Sequence, residues 1–136
     1  AMAYIGFKYY QRRRLLRNLR VARIDAAEVR RRQLAGESLT IFDLRPSAEL
    51  ERDPQVILGA RHVGYDELIQ HGRELARDRD IIVYCSCPNE VSSASLALDL
   101  RRQGLSRVRP IIGGIDAWRA RHYPTEPRPA AETPVL

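Results

Sequence analysis

Two cysteines separated by a single residue are the most chemically reactive groups in this chain. Cys85 directly follows the apolar run Ile81–Tyr84, which predicts a short buried strand, and Cys87 comes two positions later. Pro88 and then an Ala- and Leu-rich segment follow, and that segment predicts a helix. Unpaired backbone N–H groups at the start of a helix, together with the helix dipole, favour a thiolate over a thiol. We therefore interpret this loop as the site of a catalytic or sulfur-carrying cysteine.

The segments that must position this loop alternate between short apolar runs and helical patterns. Strands are predicted over residues 39–44, 55–60, 81–84 and 107–112, and helices over residues 24–36, 47–52, 64–76, 91–103 and 113–118. Asp25 and Glu28 form the capping-box pattern at the start of the first of these helices, and Gly36 closes it. This alternation predicts an α/β fold with a mostly parallel sheet and helices on both faces. Asp43 and Cys85 both end predicted strands, so we expect them to share a crevice at the carboxyl edge of the sheet.

Size and composition favour one soluble globular domain with reduced, functional thiols. The chain has 136 residues, of which 44% are hydrophobic and 29% charged. Because both cysteines lie in one loop, no disulfide can join distant parts of the chain. His62, His71 and His122 show no ligand spacing to the cysteines, so we expect neither a metal nor another cofactor. Reduced thiols are typical of a cytosolic setting.

The basic charge of the chain is concentrated in its first two dozen residues. The net charge is +6, and the cluster responsible is Arg12, Arg13, Arg14, Arg17, Arg20 and Arg23. The remainder is close to neutral, which argues against a nucleic-acid-binding face on the domain. Aromatic residues followed by arginines suit a solvated amphipathic helix or the cytoplasmic end of a membrane domain that precedes residue 2. A third interpretation is that residues 8–23 bind nucleic acid or anionic lipid. The apolar part is too short to cross a bilayer by itself.

Four motifs together resemble the rhodanese-like domains. In order, they are Ile-Phe-Asp43-Leu-Arg45 with Glu49, Gly59-Ala-Arg-His62, Ile-Val-Tyr-Cys85 and Gly113-Gly-Ile-Asp-Ala-Trp118. The resemblance covers roughly residues 23–122 and implies a sheet of about five strands and sulfur transfer through a cysteine persulfide. It also implies a sulfur donor and a sulfur acceptor, each a small molecule or a protein. We accordingly divide the chain into a basic segment (1–23), a rhodanese-like domain (24–122) and a Pro-rich tail (123–136) with little expected order.

The resemblance also implies roles for individual residues. Asp43 and Arg45 would support the cysteine loop from the neighbouring strand, although Asp43 alone also suits a simple turn cap. The substrate-binding residues would be Ser86, Pro88, Asn89, Glu90, Val91 and Ser92 of the loop, with Arg61 beside them. The Gly113–Gly114 turn and Trp118 would serve the fold. The N-terminal segment resembles the cytoplasmic tail of DedA-type membrane proteins that carry a C-terminal rhodanese domain, which implies a location at the cytoplasmic face of a membrane.

The cysteine loop departs from the usual family pattern in length and in charge. Counting forward from the strand places the persulfide on Cys85, whereas counting back from the helix places it on Cys87, and we favour Cys85 because strand ends are more rigid than loops. The other cysteine would then be a resolving thiol. Glu90 is the only charged residue between Cys85 and Ala94, so thiosulfate is disfavoured as a donor unless an arginine such as Arg45 or Arg61 reaches in.

Two other activities compete with sulfur transfer as interpretations of the loop. A cysteine phosphatase needs a guanidinium to bind phosphate, and the loop contains none. The Cys-x-Cys pair and Glu90 leave open a non-catalytic or redox-sensing module that regulates an attached membrane protein.

Overall fold

A four-stranded parallel sheet carries the cysteine loop at its carboxyl edge. The computed structural model describes residues 2–20, 23–86 and 91–129, and only the backbone of residues 14–20, 91 and 92. The strands are β1 (Thr40–Asp43), β2 (Gln55–Ile57), β3 (Ala60–His62), β4 (Ile81–Tyr84), β5 (Val108–Pro110) and β6 (Thr125–Pro127). The helices are α1 (Met2–Arg20), α2 (Ala26–Leu34), α3 (Ser47–Arg52), α4 (Tyr65–Gln70), α5 (Val91–Arg102) and α6 (Gly114–Ala120), with a 3-10 turn at Gly72–Glu74. The sheet order is β3-β1-β4-β5, and every pair in it is parallel.

Helices cover both faces of this sheet, as the alternating pattern predicts. On one face of the sheet, α4 and α5 pack against the strands and bury Phe42, Val83 and Leu100. The other face packs α2, α3 and α6, where Ile82, Leu50 and Trp118 are buried. The short strands are buried on both faces because each side of the sheet is covered by helices. The predicted α/β fold is confirmed.

The sheet contains four strands, where about five were expected. Beyond β5, where a fifth strand would lie, an isolated parallel bridge joins Ile24 to Ile111. The backbone N–H of Ile24 donates to Pro110 O, and the N–H of Ile112 donates to Ile24 O, both at 2.9 Å. The chain enters α2 immediately afterwards, with the Asp25 carboxylate accepting from the N–H of Ala27 at 3.2 Å. The Glu28 carboxylate, expected to complete a capping box, instead binds Arg31 and Arg32.

The predicted extended segment 55–60 is wrong as a single strand. Leu58 and Gly59 form a turn, and Gly59 adopts a φ of 83°, so that β2 and β3 belong to different sheets. The partner of β2 is β6, in an antiparallel pair that runs from Gln55–Pro127 to Ile57–Thr125. The expectation of little order from residue 123 onward is therefore wrong for residues 123–128, while residues 130–136 lie outside the described residues.

The N-terminal helix extends over Met2–Arg20, and the side chains of residues 2–13 are exposed. Its backbone approaches α5. Among the residues that the structure describes, no helix is both long enough and apolar enough to cross a membrane.

Candidate active site

Cys85 lies at the carboxyl end of the central strand β4, under the first turn of α5. The residue is only 2% exposed, and its thiol donates to the hydroxyl of Ser93, with 3.7 Å between Sγ and Oγ. Ser93 is itself fully buried and belongs to the first turn of α5. A strand end thus brings the sulfur to the start of a 12-residue helix, where the helix dipole stabilises negative charge. Sequence reasoning did not include Ser93 among the site residues, although its place at the opening of the helix was a usable signal.

The turn between β5 and α6 holds the backbone of Cys85 from the other side. Gly113 and Gly114 both have positive φ values, 76° and 56°. A Cβ atom on Gly114 would overlap the carbonyl oxygen of Cys85. The N–H of Ile115 lies 3.5 Å from the same oxygen and points to it as a hydrogen-bond donor. Gly114 is therefore needed for the close approach of this turn to the cysteine backbone, and both glycines suit the positive φ values of the turn itself.

Asp43 and Arg45 form a buried ion pair at the end of the neighbouring strand. The Asp43 carboxylate accepts from the backbone N–H of Arg45 at 2.8 Å and from the guanidinium at 2.9–3.2 Å. Arg45 is 1% exposed, and its guanidinium also donates to the backbone oxygens of Asp53 and Gln55. Asp43 thus caps the turn after β1, and the pair ties this turn to the segment that leads into β2. Contact of the pair with residues 87–90 remains a prediction, since those residues lie outside the described part.

The alternation of side chains along β1 and β4 separates this ion pair from the cysteine thiol. Asp43 is paired with Tyr84 in the register of the two strands. Tyr84 packs in the cluster with Ile82 and Trp118, whereas Cys85 packs in the cluster on the opposite face. Burial and the nearby Asp43 carboxylate raise the pKa of Tyr84 above its usual range, so its hydroxyl is neutral. That hydroxyl accepts from the N–H of Ile57 at 3.1 Å.

A carboxylate from α3 contacts the first residue of the cysteine loop. The Ser86 hydroxyl donates to Glu49 Oε1 at 2.5 Å, and Ser86 is half-buried. Glu49 is a further site residue that sequence reasoning did not select, although it lies in one of the motifs. Its signal was its place in the first turn of a helix that starts at the carboxyl edge of the sheet.

The remaining predicted site residues are not gathered around the thiol by any described contact. Arg61 lies on the edge strand β3, where its side chain is exposed and, among the described residues, makes no hydrogen bond or ion pair. Cys87, Pro88, Asn89 and Glu90 lie outside the described residues, as do the side chains of Val91 and Ser92. Within the described ranges, no group of three His, Cys, Asp or Glu residues is arranged to hold a metal ion.

Known proteins share this fold and are 29–31% identical to this chain over the aligned residues. The chain is 31% identical over 87 residues to the thiosulfate sulfurtransferase GlpE of Coxiella burnetii, which covers 64% of this chain and 77% of that protein. It is 30% identical over 102 residues to a sulfurtransferase of Allochromatium vinosum, covering 75% of this chain and 91% of that protein. A crystal structure of the Alr3790 protein from Anabaena aligns with a TM-score of 0.67 at 29% identity, over 76% of this chain and 82% of that one. The family model of the rhodanese-like domain matches residues 25–121, and this chain therefore belongs to the rhodanese-like family.

Proposed function

We propose that this protein is a sulfurtransferase that carries sulfane sulfur as a persulfide on Cys85. The observation that supports this most directly is the position of Cys85, at the end of β4, beneath the first turn of α5 and 3.7 Å from the Ser93 hydroxyl. A thiolate there is stabilised by the helix dipole and by a hydroxyl that turns to donate to it. Sulfurtransferases among the relatives support the same class of reaction.

The proposed reaction has two displacement steps at sulfur. The Cys85 thiolate attacks the outer sulfur of the donor, the donor's S–S bond breaks, and the departing group keeps the electron pair. The product is a persulfide on Cys85. An acceptor thiolate then attacks the outer sulfur of that persulfide and regenerates the Cys85 thiolate. Neither step needs a metal or an external oxidant.

Cys87 is the alternative carrier, and the rigidity of the two positions favours Cys85. The backbone of Cys85 is held by β4 on one side and by the Gly113–Gly114 turn on the other. A persulfide has to be attacked along the S–S axis, so a fixed sulfur position lowers the cost of orienting the two reactants. In this proposal Cys87 is available as a second thiol for Cys85.

Intact-mass spectrometry after incubation with sulfur donors tests the proposal. The donors are thiosulfate and, separately, the persulfide of 2-mercaptoethanol generated in situ. We expect the wild type and Cys87→Ser to gain the mass of one sulfur atom, and Cys85→Ser to gain none. If Cys85→Ser also gained the mass of one sulfur atom, Cys87 would be the residue that carries the persulfide. A Cys85–Cys87 disulfide formed with mild peroxide, with no persulfide from either donor, would favour the redox-sensing module instead.

A further inference from the structure

The charge at the described part of the cysteine loop is negative. Glu49 of α3 accepts a hydrogen bond from Ser86, the residue that follows Cys85. The sequence from Cys85 to Ala94 contains no arginine or lysine. An incoming anion therefore meets a carboxylate next to the reactive cysteine, with no cation of the loop to offset it.

Arg45 and Arg61 would offset this charge if either side chain reached the loop, but neither of them supplies that cation. The Arg45 guanidinium is 1% exposed, paired with Asp43 and bonded to the backbone of Asp53 and Gln55, so its donors are already used. Arg61 is exposed on the edge strand, with β1 between it and β4.

We infer, on the basis of the proposed function, that the natural donor is a persulfide, R–S–SH, and not the thiosulfate dianion, and that Glu49 imposes this preference. The Cys85 thiolate attacks the outer sulfur of R–S–SH, the donor's S–S bond breaks, and RS⁻ leaves with the electron pair. The enzyme is left as Cys85–S–SH, so the proton travels with the transferred sulfur. With thiosulfate the leaving group is sulfite, and two negative charges have to approach Glu49 at once. Coulomb repulsion from the carboxylate opposes the approach of the thiosulfate dianion, whereas R–S–SH carries no charge for the carboxylate to repel.

Glu49→Gln tests this inference because the amide oxygen still accepts from Ser86 while the charge is removed. The measured quantity is kcat/KM for thiosulfate and for the persulfide of 2-mercaptoethanol. We expect Glu49→Gln to raise the value for thiosulfate about five- to tenfold and to change that for the persulfide less than about twofold. Glu51→Gln, an exposed position on the same helix, is the matched control and should leave both values unchanged.

Two different failures are distinguishable in this experiment. If Cys85 forms a persulfide but Glu49→Gln shifts both donors equally, or neither, the preference for a persulfide donor is wrong and the sulfurtransferase proposal stands. If Cys85 takes up sulfur from neither donor in the wild type or in Glu49→Gln, both proposals are wrong. Raising the ionic strength should also reduce the wild-type discrimination against thiosulfate, because screening weakens the repulsion.

A separate observation concerns α1, whose first nine residues are predominantly apolar on every side. Six large apolar or aromatic side chains are 59–90% exposed there, namely Met2, Tyr4, Ile5, Phe7, Tyr9 and Tyr10. The second half of the helix is basic, and residues 1–24 contain no acidic residue. The apolar residues and the basic residues thus occupy successive parts of the helix. In a helix that packs on a protein surface, apolar and charged residues lie instead on opposite faces.

We propose that α1 binds the surface of an anionic bilayer, with its apolar end entering the interface and its basic half at the headgroups. Tyrosines and phenylalanine are favoured at the level of the headgroups. Lys8 and Arg13 stack over the rings of Tyr4 and Tyr9 at 5.5 Å, which lets cations remain beside the aromatic end. Arginines and lysine near the surface are attracted to anionic lipids, and this attraction selects a bilayer over an uncharged apolar partner.

Vesicle sedimentation with the full chain tests this second proposal. Vesicles of phosphatidylcholine with a third of phosphatidylglycerol should bind the wild type, and vesicles of phosphatidylcholine alone should bind it at least about tenfold more weakly. Tyr4→Ser/Phe7→Ser and Arg12→Gln/Arg13→Gln should each lower binding to the anionic vesicles at least about tenfold. Leu34→Ser, at an exposed leucine outside α1, is the control and should bind like the wild type. Equal binding to both vesicle types, undiminished binding of the α1 variants, or self-association of the chain without vesicle binding would overturn the proposal.

Discussion

Gly114 lies against the carbonyl oxygen of Cys85 so closely that any side chain on the glycine would overlap that oxygen. The contact joins the turn after β5 to the end of β4, and it fixes the backbone from which the Cys85 sulfur projects. The glycine pair in the sequence thus serves the position of the cysteine through the backbone. The φ of 56° at Gly114 would in addition strain the backbone of any other residue at this position.

Gly114→Ala should therefore displace Cys85 and slow persulfide formation at least about tenfold, because the reacting atoms would be misaligned. The rate is measured by mass spectrometry with a single donor. Gly36→Ala is the matched control, since Gly36 also has a positive φ (81°) but a Cβ there would meet open space. Both variants should lose about 1 kcal/mol of stability or more from backbone strain. A wild-type rate in Gly114→Ala would contradict the positioning role.

Ser93→Ala should reduce the reactivity of Cys85 without unfolding the domain. The Ser93 hydroxyl lies 3.7 Å from the sulfur and can reorient to donate to the thiolate. Loss of one hydrogen bond to a charged group corresponds to about 1.5–3 kcal/mol, and we expect alkylation by iodoacetamide at neutral pH to slow about tenfold. Ser38→Ala, on the exposed segment before β1, is the control. Equal alkylation rates in the two variants would show that the Ser93 hydroxyl does not contribute to the reactivity of Cys85.

The sequence alone was enough to predict the fold class and the edge of the sheet at which Cys85 lies. Ile81–Tyr84 is apolar throughout and is bounded by turn residues, and such runs are typical of strands buried on both faces. Parallel strands bring their carboxyl ends to one edge, and for this reason the positions of Asp43 and Cys85 at their strand ends predict a shared edge. The family motifs supplied the rest of that inference.

Other features depend on tertiary contacts that no local pattern records. The segment Thr125–Pro127 has prolines on both sides and reads as coil, and it becomes a strand only because β2 offers it an unpaired edge. The separation of Arg45 from the cysteine thiol depends on the register that pairs Asp43 with Tyr84, and register is not visible in a single strand. The Glu49–Ser86 contact depends on the direction in which a six-residue helix leaves the sheet.

Breaking the Asp43–Arg45 pair should lower the stability of the domain strongly. Both side chains are buried, so either single variant leaves an uncompensated polar or charged group in the interior. Arg45→Met and Asp43→Asn should each lower the free energy of unfolding by about 3–5 kcal/mol, measured by urea denaturation. The double variant should lose less than the sum of the two, since neither partner then lacks its counter-charge. Additive losses would show that the two residues act separately.

Asp80 directly precedes β4, at the amino edge of the sheet, and provides a test of how the free energy of unfolding depends on pH. Burial of this carboxyl group raises its pKa, but hydrogen bonds from Arg32, Arg107 and Arg109 outweigh that effect and lower it below its ordinary value of 3.8. The unfolded chain therefore binds more protons than the native protein in the acid range. The stabilisation is complete above about pH 4–5 and is lost as the pH falls through the lower, native pKa.

Asp80→Asn should thus be about 2 kcal/mol less stable than the wild type at pH 7, where the full ion cluster is present. The difference should shrink as the pH falls below the ordinary aspartate pKa, because the wild type then loses the same charge. Urea denaturation at a series of pH values from neutral to acid measures this convergence. Asp78→Asn, whose side chain is 82% exposed two residues away, should track the wild type at every pH. If the difference between wild type and Asp80→Asn stayed constant through the acid range, it would come from packing, and the ionised Asp80 would contribute nothing to it.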